Sequence, residues 1–228
     1  METFVVRVWV PDRPGALGQV ASRIGAVRGS VVGIDILERG AGRAIDELVV
    51  ELPDAGLVSL LLAEIDQVDG VDVEDIRPAP AQIADPRLDA LETAALLVGA
   101  ASFTELLDSL VAHARRDFGS EWAVVIDLDE RTLLASHGAP PPPAWLVAFV
   151  AGSESSAAVS AGECGPDDVA WAPLGHATPG QVRLALLLGR QGRPFRSRER
   201  QQLAALCKIA QYVVTNLGVD RPLRVTAG

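Results

Sequence analysis

Apolar and polar positions alternate along Phe4, Val6, Val8 and Val10, with Val5, Arg7 and Trp9 on the other face. That two-residue period predicts a strand. After a break at residues 11–15 the period lengthens, and Leu17, Val20, Ile24 and Val27 form one stripe at helical spacing. Val32, Ile34 and Ile36 alternate again, Glu38–Ala44 reads as a glycine-rich hairpin connection, and Leu48, Val50 and Leu52 alternate on the return. Asp54 is placed to cap a second helix with the stripe Leu57, Leu60, Leu61, Ile65 and Val68; Asp69 and Gly70 stop it, and residues 71–76 form a last short strand. The order is β-α-β-β-α-β, the ferredoxin-like unit. Both helices cover one face of the sheet, leaving Trp9, Val5, Val49 and Leu37 on the other. That set is apolar enough to expect a covering partner surface.

The pattern breaks at Arg77–Arg87, where three prolines interrupt it, so a linker is expected over 79–86 between a domain at 1–78 and another at 87–218, with a tail at 219–228. In the second segment a helix is predicted over 87–100, with Leu88, Leu91, Ala95 and Val98 as its stripe. Ser102 and Glu105 form a capping box for a helix running to Phe118. Residues 121–129 and 132–138 read as paired strands turning at Asp129–Arg131. The prolines at 140–143 lead into a short buried helix, and residues 167–175 and 182–192 give two further strands. A long helix from Ser197 to Leu217 carries Leu203, Leu206, Ala210, Val214 and Leu217, with Gly218 as its stop. The expected fold class is α+β: a ferredoxin-like unit, then an α/β domain whose mixed or antiparallel sheet is flanked by helices.

Composition narrows the function. A formal net charge of −10 argues against nucleic acid or an anionic membrane as partner. The arginines near 190–200 then read as a solvated helix start. Residues 1–78 hold 14 acidic and 7 basic side chains, so the acidity sits mainly there. No apolar run approaches the ~20 residues of a membrane span. Two cysteines, Cys164 and Cys207, without metal spacing and with no secretory signal, lead us to expect a soluble cytoplasmic protein.

No catalytic constellation stands out. His113 falls on the exposed side of a helix, His137 and His176 in turns, and none pairs with another at ligand spacing. Cys207 reads as a core residue and Cys164 as an exposed loop thiol. Asp127–Glu130 lacks the later residues of a calcium loop and reads as a β-turn. No enzyme activity, metal or cofactor is expected.

One stretch asks for more explanation, Pro11-Asp12-Arg13-Pro14-Gly15. Pro14 suits a first helical position, Asp12 can accept hydrogen bonds from helix amides or a ligand ammonium, and Gly15 lets another molecule approach the backbone. The amides of Gly15, Ala16 and Leu17 at a helix N-terminus favour an anion such as a carboxylate. On local chemistry alone, a strand-to-helix turn with a good N-cap accounts for the loop more simply.

Asp12, Pro14, Gly15 and Leu17 after a strand, then Ile24, Gly29 and Val31–Ile36 before a hairpin, resemble the ACT domain, a regulatory module of amino-acid metabolism. The resemblance runs over residues 3–77. It implies an amino-acid ligand at an interface between two such domains, touched by Asp12, Pro14, Gly15, Ala16 and Leu17 and by Val32 and Ile34 of the facing strand. Residues 87–217 resemble the GAF fold more weakly, through Pro173-Leu174, the strand after it, and Pro194-Phe195 leading into the last helix. The cyclic-nucleotide pattern of that family is missing, and Cys164 lacks the adjacent His of bilin attachment. The expectation is therefore a homodimeric, non-catalytic sensor of a small metabolite that passes its output to an unknown protein partner. The alternative is a ligand-free dimerisation or adaptor protein.

Overall fold

The computed structural model describes residues 1–79, 86–155, 168–175 and 182–217. The interior of the expected linker, Gly218, the tail at 219–228, Cys164 and His176 lie outside the described residues. Contacts divide the chain into two units, Met1–Ile83 and Ala84–Gly228.

In the first unit the elements are β1 (Glu2–Pro11), α1 (Ala16–Ala26), β2 (Ser30–Gly40), β3 (Arg43–Leu52), α2 (Val58–Ile65) and β4 (Asp72–Pro78). The sheet is antiparallel in the order β2-β3-β1-β4. Phe4, Val6, Val8, Val10, Leu48 and Val50 face the helices and pack with Val20, Ile24, Leu61 and Ile65 in one core. Each such side chain contributes roughly 1.5–3 kcal/mol of burial. The expected seven-residue hairpin connection contracts to Ala41 and Gly42, because Glu38–Gly40 and Arg43–Ala44 pair. Both turn residues have positive φ, 50° and 77°, the twist that matches flanking strands. Asp54 accepts from the Gly56 amide at 2.6 Å and caps a single 3-10 turn, Ala55–Leu57, that feeds α2.

The opposite face carries a charged lattice that alternation does not reveal. Arg7 is fully buried there beside Val5, Leu37 and Ile45. It donates to Glu47 from Nε (3.1 Å) and Nη2 (2.9 Å) and lies 3.6 Å from Glu74. Arg77 bridges Glu47 (2.8 Å) and Asp75 (2.7 Å), and the Trp9 indole donates to Glu74 at 2.7 Å. Burial alone would raise the Glu47 carboxyl; Arg77 and Arg7 outweigh it and hold it below its usual range.

The second unit holds α3 (Pro86–Val98), α4 (Phe103–Asp117), β5 (Trp122–Asp127), β6 (Thr132–His137), α5 (Pro143–Ser155), β7 (Val169–Leu174), β8 (Leu184–Gly189) and α6 (Ser197–Asn216). Its sheet runs β6-β5-β8-β7 and every pairing is antiparallel. The core on one face is built from α3, α4 and α6, and on the other Leu146 and Val150 of α5 pack on Trp122, Val124 and Leu187.

Three expectations need correcting. The stripe foreseen on α3 points outward: Leu88, Leu91 and Val98 are exposed, while Thr93 and Leu97 are buried. The helix is apolar on several sides, and a polar clasp fixes which side turns in: Thr93 Oγ1 donates to Asp117 at 2.7 Å and lies 3.5 Å from His113 Nδ1. His113 is therefore half-buried against α3 rather than free on the surface. Arg190 is no solvated arginine either. It is buried, grips both oxygens of Glu199 (2.7 and 2.9 Å), donates to the Phe118, Arg193 and Pro194 carbonyls, and stacks on Phe195.

Candidate functional site

The Asp12 amide donates to the Gly42 carbonyl at 2.9 Å, tying the loop after β1 to the hairpin turn. The Arg13 amide then closes a tight turn on Pro11 (2.8 Å). The N-cap of α1 is Gly15, in the left-handed region at φ 85°, so helix begins at Ala16 and Pro14 precedes the cap instead of opening the helix. A side chain at Gly15 would meet nothing within 4 Å.

Asp12, Pro14 and Gly15 are exposed, Ala16 is buried in the core, and Leu17 packs against that core. The Ala16 amide is engaged by the Arg13 carbonyl at 3.3 Å, which leaves Gly15 and Leu17 as the amides a ligand could use. Among the described residues no hydrogen bond joins the Asp12 carboxylate to α1.

Val32 and Ile34 stand apart from this loop. Both are exposed, at 48% and 50%, on edge strand β2, where the register shifts between Val31 and Gly33. Ile34 pairs with Leu48, and Leu48 with Val6, midway along β1; the row at the loop end is Gly40–Arg43–Pro11. With β3 between β2 and β1, the two side chains lie about two strand spacings, roughly 10 Å, from β1. Within one chain they do not line the loop.

A residue that the sequence pattern held and the site reading missed is Asp46, in the row Val8–Asp46–Ile36, three rows in from the loop end. It shares the helix-facing side of β3 with Ala44, Leu48 and Val50, yet is only 4% exposed. Its Oδ1 is sealed from solvent and has no hydrogen-bond partner. Burial pushes its carboxyl above the usual range; Arg39 pulls it down, and Asp12 and Asp35 push it up. A charged residue in an otherwise apolar inward row was the signal available.

Elsewhere, an open acidic groove between α2 and β4 is lined by Leu62, Asp66, Asp72, Glu74, Asp75 and Ile76, and holds none of the residues foreseen as ligand contacts. Cys207 is buried, its thiol pushed up by desolvation to about 12. Asp127 Oδ1 accepts from the Asp129 and Glu130 amides, as a turn requires. Among the described residues no His, Cys, Asp and Glu cluster could hold a metal ion, and no helix is long and apolar enough to cross a membrane.

No curated protein matches the chain. Of solved structures, the ACT domain from the GTP pyrophosphokinase of Chlorobium tepidum is 15% identical, covering 34% of this chain and 97% of its own, at a TM-score of 0.28. The GAF domain from an Acinetobacter phosphoenolpyruvate-protein phosphotransferase is 16% identical, covering 62% and 99%, at a TM-score of 0.42. Residues 4–70 match the family model of the ACT domain, and the loop, Gly15 and Asp46 all fall inside that match.

Proposed function

We propose that the chain is a non-catalytic, cytoplasmic regulatory protein that senses a small metabolite, most simply an amino acid, at the loop 12–17. The observation that best supports this is the head of α1. An exposed glycine N-cap with open space beside it leaves the positive end of a helix free to meet an anion. A carboxylate there gains roughly 0.3–1 kcal/mol from the helix field, with the Gly15 and Leu17 amides as donors and Asp12 near the ammonium.

Val32 and Ile34 fit the same reading only through a second copy, whose β2 edge would bring them to the loop. A homodimer is thus part of the proposal. A ligand that prefers one arrangement of the dimer shifts its population, and a protein partner reads the result. Neither a cofactor nor a reaction step is needed. The exposed apolar edge of β2 also favours a second reading, a ligand-free adaptor that uses β2 for dimerisation and docking.

Thermal unfolding against each of the twenty L-amino acids and the common cyclic nucleotides tests these readings. A ligand at 100 times its dissociation constant adds about 2.7 kcal/mol, several degrees for a unit of this size. One amino acid should raise the transition, and Gly15→Asn should abolish the rise, because Asn tolerates the left-handed backbone while filling the open space. A shift with cyclic nucleotides alone would move the sensing site to the second unit. No shift with any compound would favour the adaptor.

A further inference from the structure

Asp46 is expensive where it stands. Every neighbouring inward position on β3 is apolar, and a buried carboxylate oxygen without a donor costs about 1–3 kcal/mol. The charges acting on it are Arg39 and Asp35 from β2 and Asp12 from the loop, two negative against one positive. The charged residue of α1, Arg23, is engaged with Glu64 at 3.1 Å and offers nothing. A sheet built only for stability would place an apolar residue here. The unmet requirement is for a cationic hydrogen-bond donor, delivered on the helix-facing side of the sheet, three rows in from where β1 runs into the loop.

We propose that Asp46, rather than Asp12 alone, recognises the ligand's ammonium, so that the site selects α-amino acids over the matching 2-hydroxy acids. The proposal rests on the reading of the loop as an amino-acid site. A carboxylate at the Gly15 and Leu17 amides explains why an acid binds; it does not distinguish an amine from a hydroxyl at the next carbon. Asp46 does. An ammonium gives its Oδ1 a charge-assisted donor, among the stronger hydrogen bonds available to a protein. A hydroxyl brings no charge to a carboxylate already beside two others. Asp12, exposed at the rim, raises the local negative potential and draws the cation in.

The test is calorimetric titration of the full chain at pH 7 with whichever of the twenty L-amino acids raises the unfolding transition, and with its 2-hydroxy analogue. Wild type, Asp46→Asn and Asp12→Asn are compared. We expect wild type to prefer the amino acid at least tenfold, Asp46→Asn to lose that preference with a tenfold or greater drop in affinity, and Asp12→Asn to keep most of the preference. Asp46→Asn should unfold no earlier than wild type, which separates lost recognition from lost folding. A second readout follows the Asp46 side-chain carboxyl by carbon NMR: its titration midpoint should fall when the amino acid binds. If Asp46→Asn binds within twofold of wild type with its preference intact, the proposal is overturned and the amino-acid site survives. If wild type binds none of the twenty, the site and the proposal fall together.

Discussion

Glu47→Ala removes the anion that three donors from Arg7 and Arg77 share on one oxygen. Arg7 would then lose two of its charge-assisted bonds and keep Glu74 at 3.6 Å, while remaining fully buried. Breaking a buried pair by removing one partner costs about 3–5 kcal/mol, and the residual Glu74 contact points to the low end, about 3. For a unit of this size that is a loss of roughly 12 °C or more. Arg7→Met should cost far less, about 1 kcal/mol, because an apolar side chain of similar volume ends the need for a counter-charge and Glu47 keeps Arg77. Hydrogen exchange of β1 and β3 peptides across a urea series reads this unit without interference from the other. The sign with pH follows from the direction of the shift. Glu47 is held below its ordinary value of 4.5, so its contribution is present above that value and is lost as pH falls through the lower folded-state value. The gap between wild type and Glu47→Ala should therefore narrow in acid. A Glu47→Ala cost below 0.5 kcal/mol at neutral pH, on the order of an ordinary surface change, would refute the reasoning. So would Arg7→Met proving the more damaging substitution.

Asp46 runs the other way: its folded-state carboxyl is raised, so stability is full below 3.8 and is lost as pH rises through the folded-state value. Asp46→Asn should accordingly gain stability over wild type at pH 7 and lose that gain below pH 3.8, measured by the same exchange experiment; a constant difference across pH would contradict it. Gly189→Ala would drive a methyl into the Trp122 indole and should destabilise the second unit by about 1–3 kcal/mol, with Trp122→Leu recovering part of the loss in a double-mutant cycle. Cys207, buried and poorly ionised, should resist iodoacetamide at pH 8 in the folded chain and label once urea unfolds it; rapid native labelling at that residue would contradict its place in the core.

The first unit was legible where an element carries one clean period, and less so on β2, whose register shifts twice and leaves Val32 and Ile34 exposed. Val6, Val8 and Val10 keep period two, Val20 and Ile24 keep the helical stripe, and all five point into a single core. Legibility failed where a position is decided by what lies across the fold. Nothing in the spacing of Leu88, Leu91 and Val98 says that Thr93 will turn inward to reach Asp117. Alternation marks Arg7 as outward, and the meeting of Glu47 on β3 with Glu74 on β4 helps to make burial there tolerable. Within the candidate site, the loop was found from its own residues, since a strand end, Asp12 and a glycine before a helix are local signals. Gly15 itself moved Pro14 out of the helix, because a left-handed cap cannot continue into the residue before it as helix. The separation of Val32 and Ile34 from the loop depends on strand order, which no single stretch encodes. Asp46 was written plainly in the pattern, as the one acidic residue in the inward row of β3.

The central claim is that an amino acid docks on the head of α1. Backbone NMR of nitrogen-labelled full-length protein, titrated with each of the twenty L-amino acids, tests it at the atoms concerned. The account predicts that one of them moves the Gly15 and Leu17 amide signals in a saturable way and leaves those of the α3–α4 clasp still. Saturable shifts confined to the second unit, or no shift at Gly15 with any of the twenty, would contradict it.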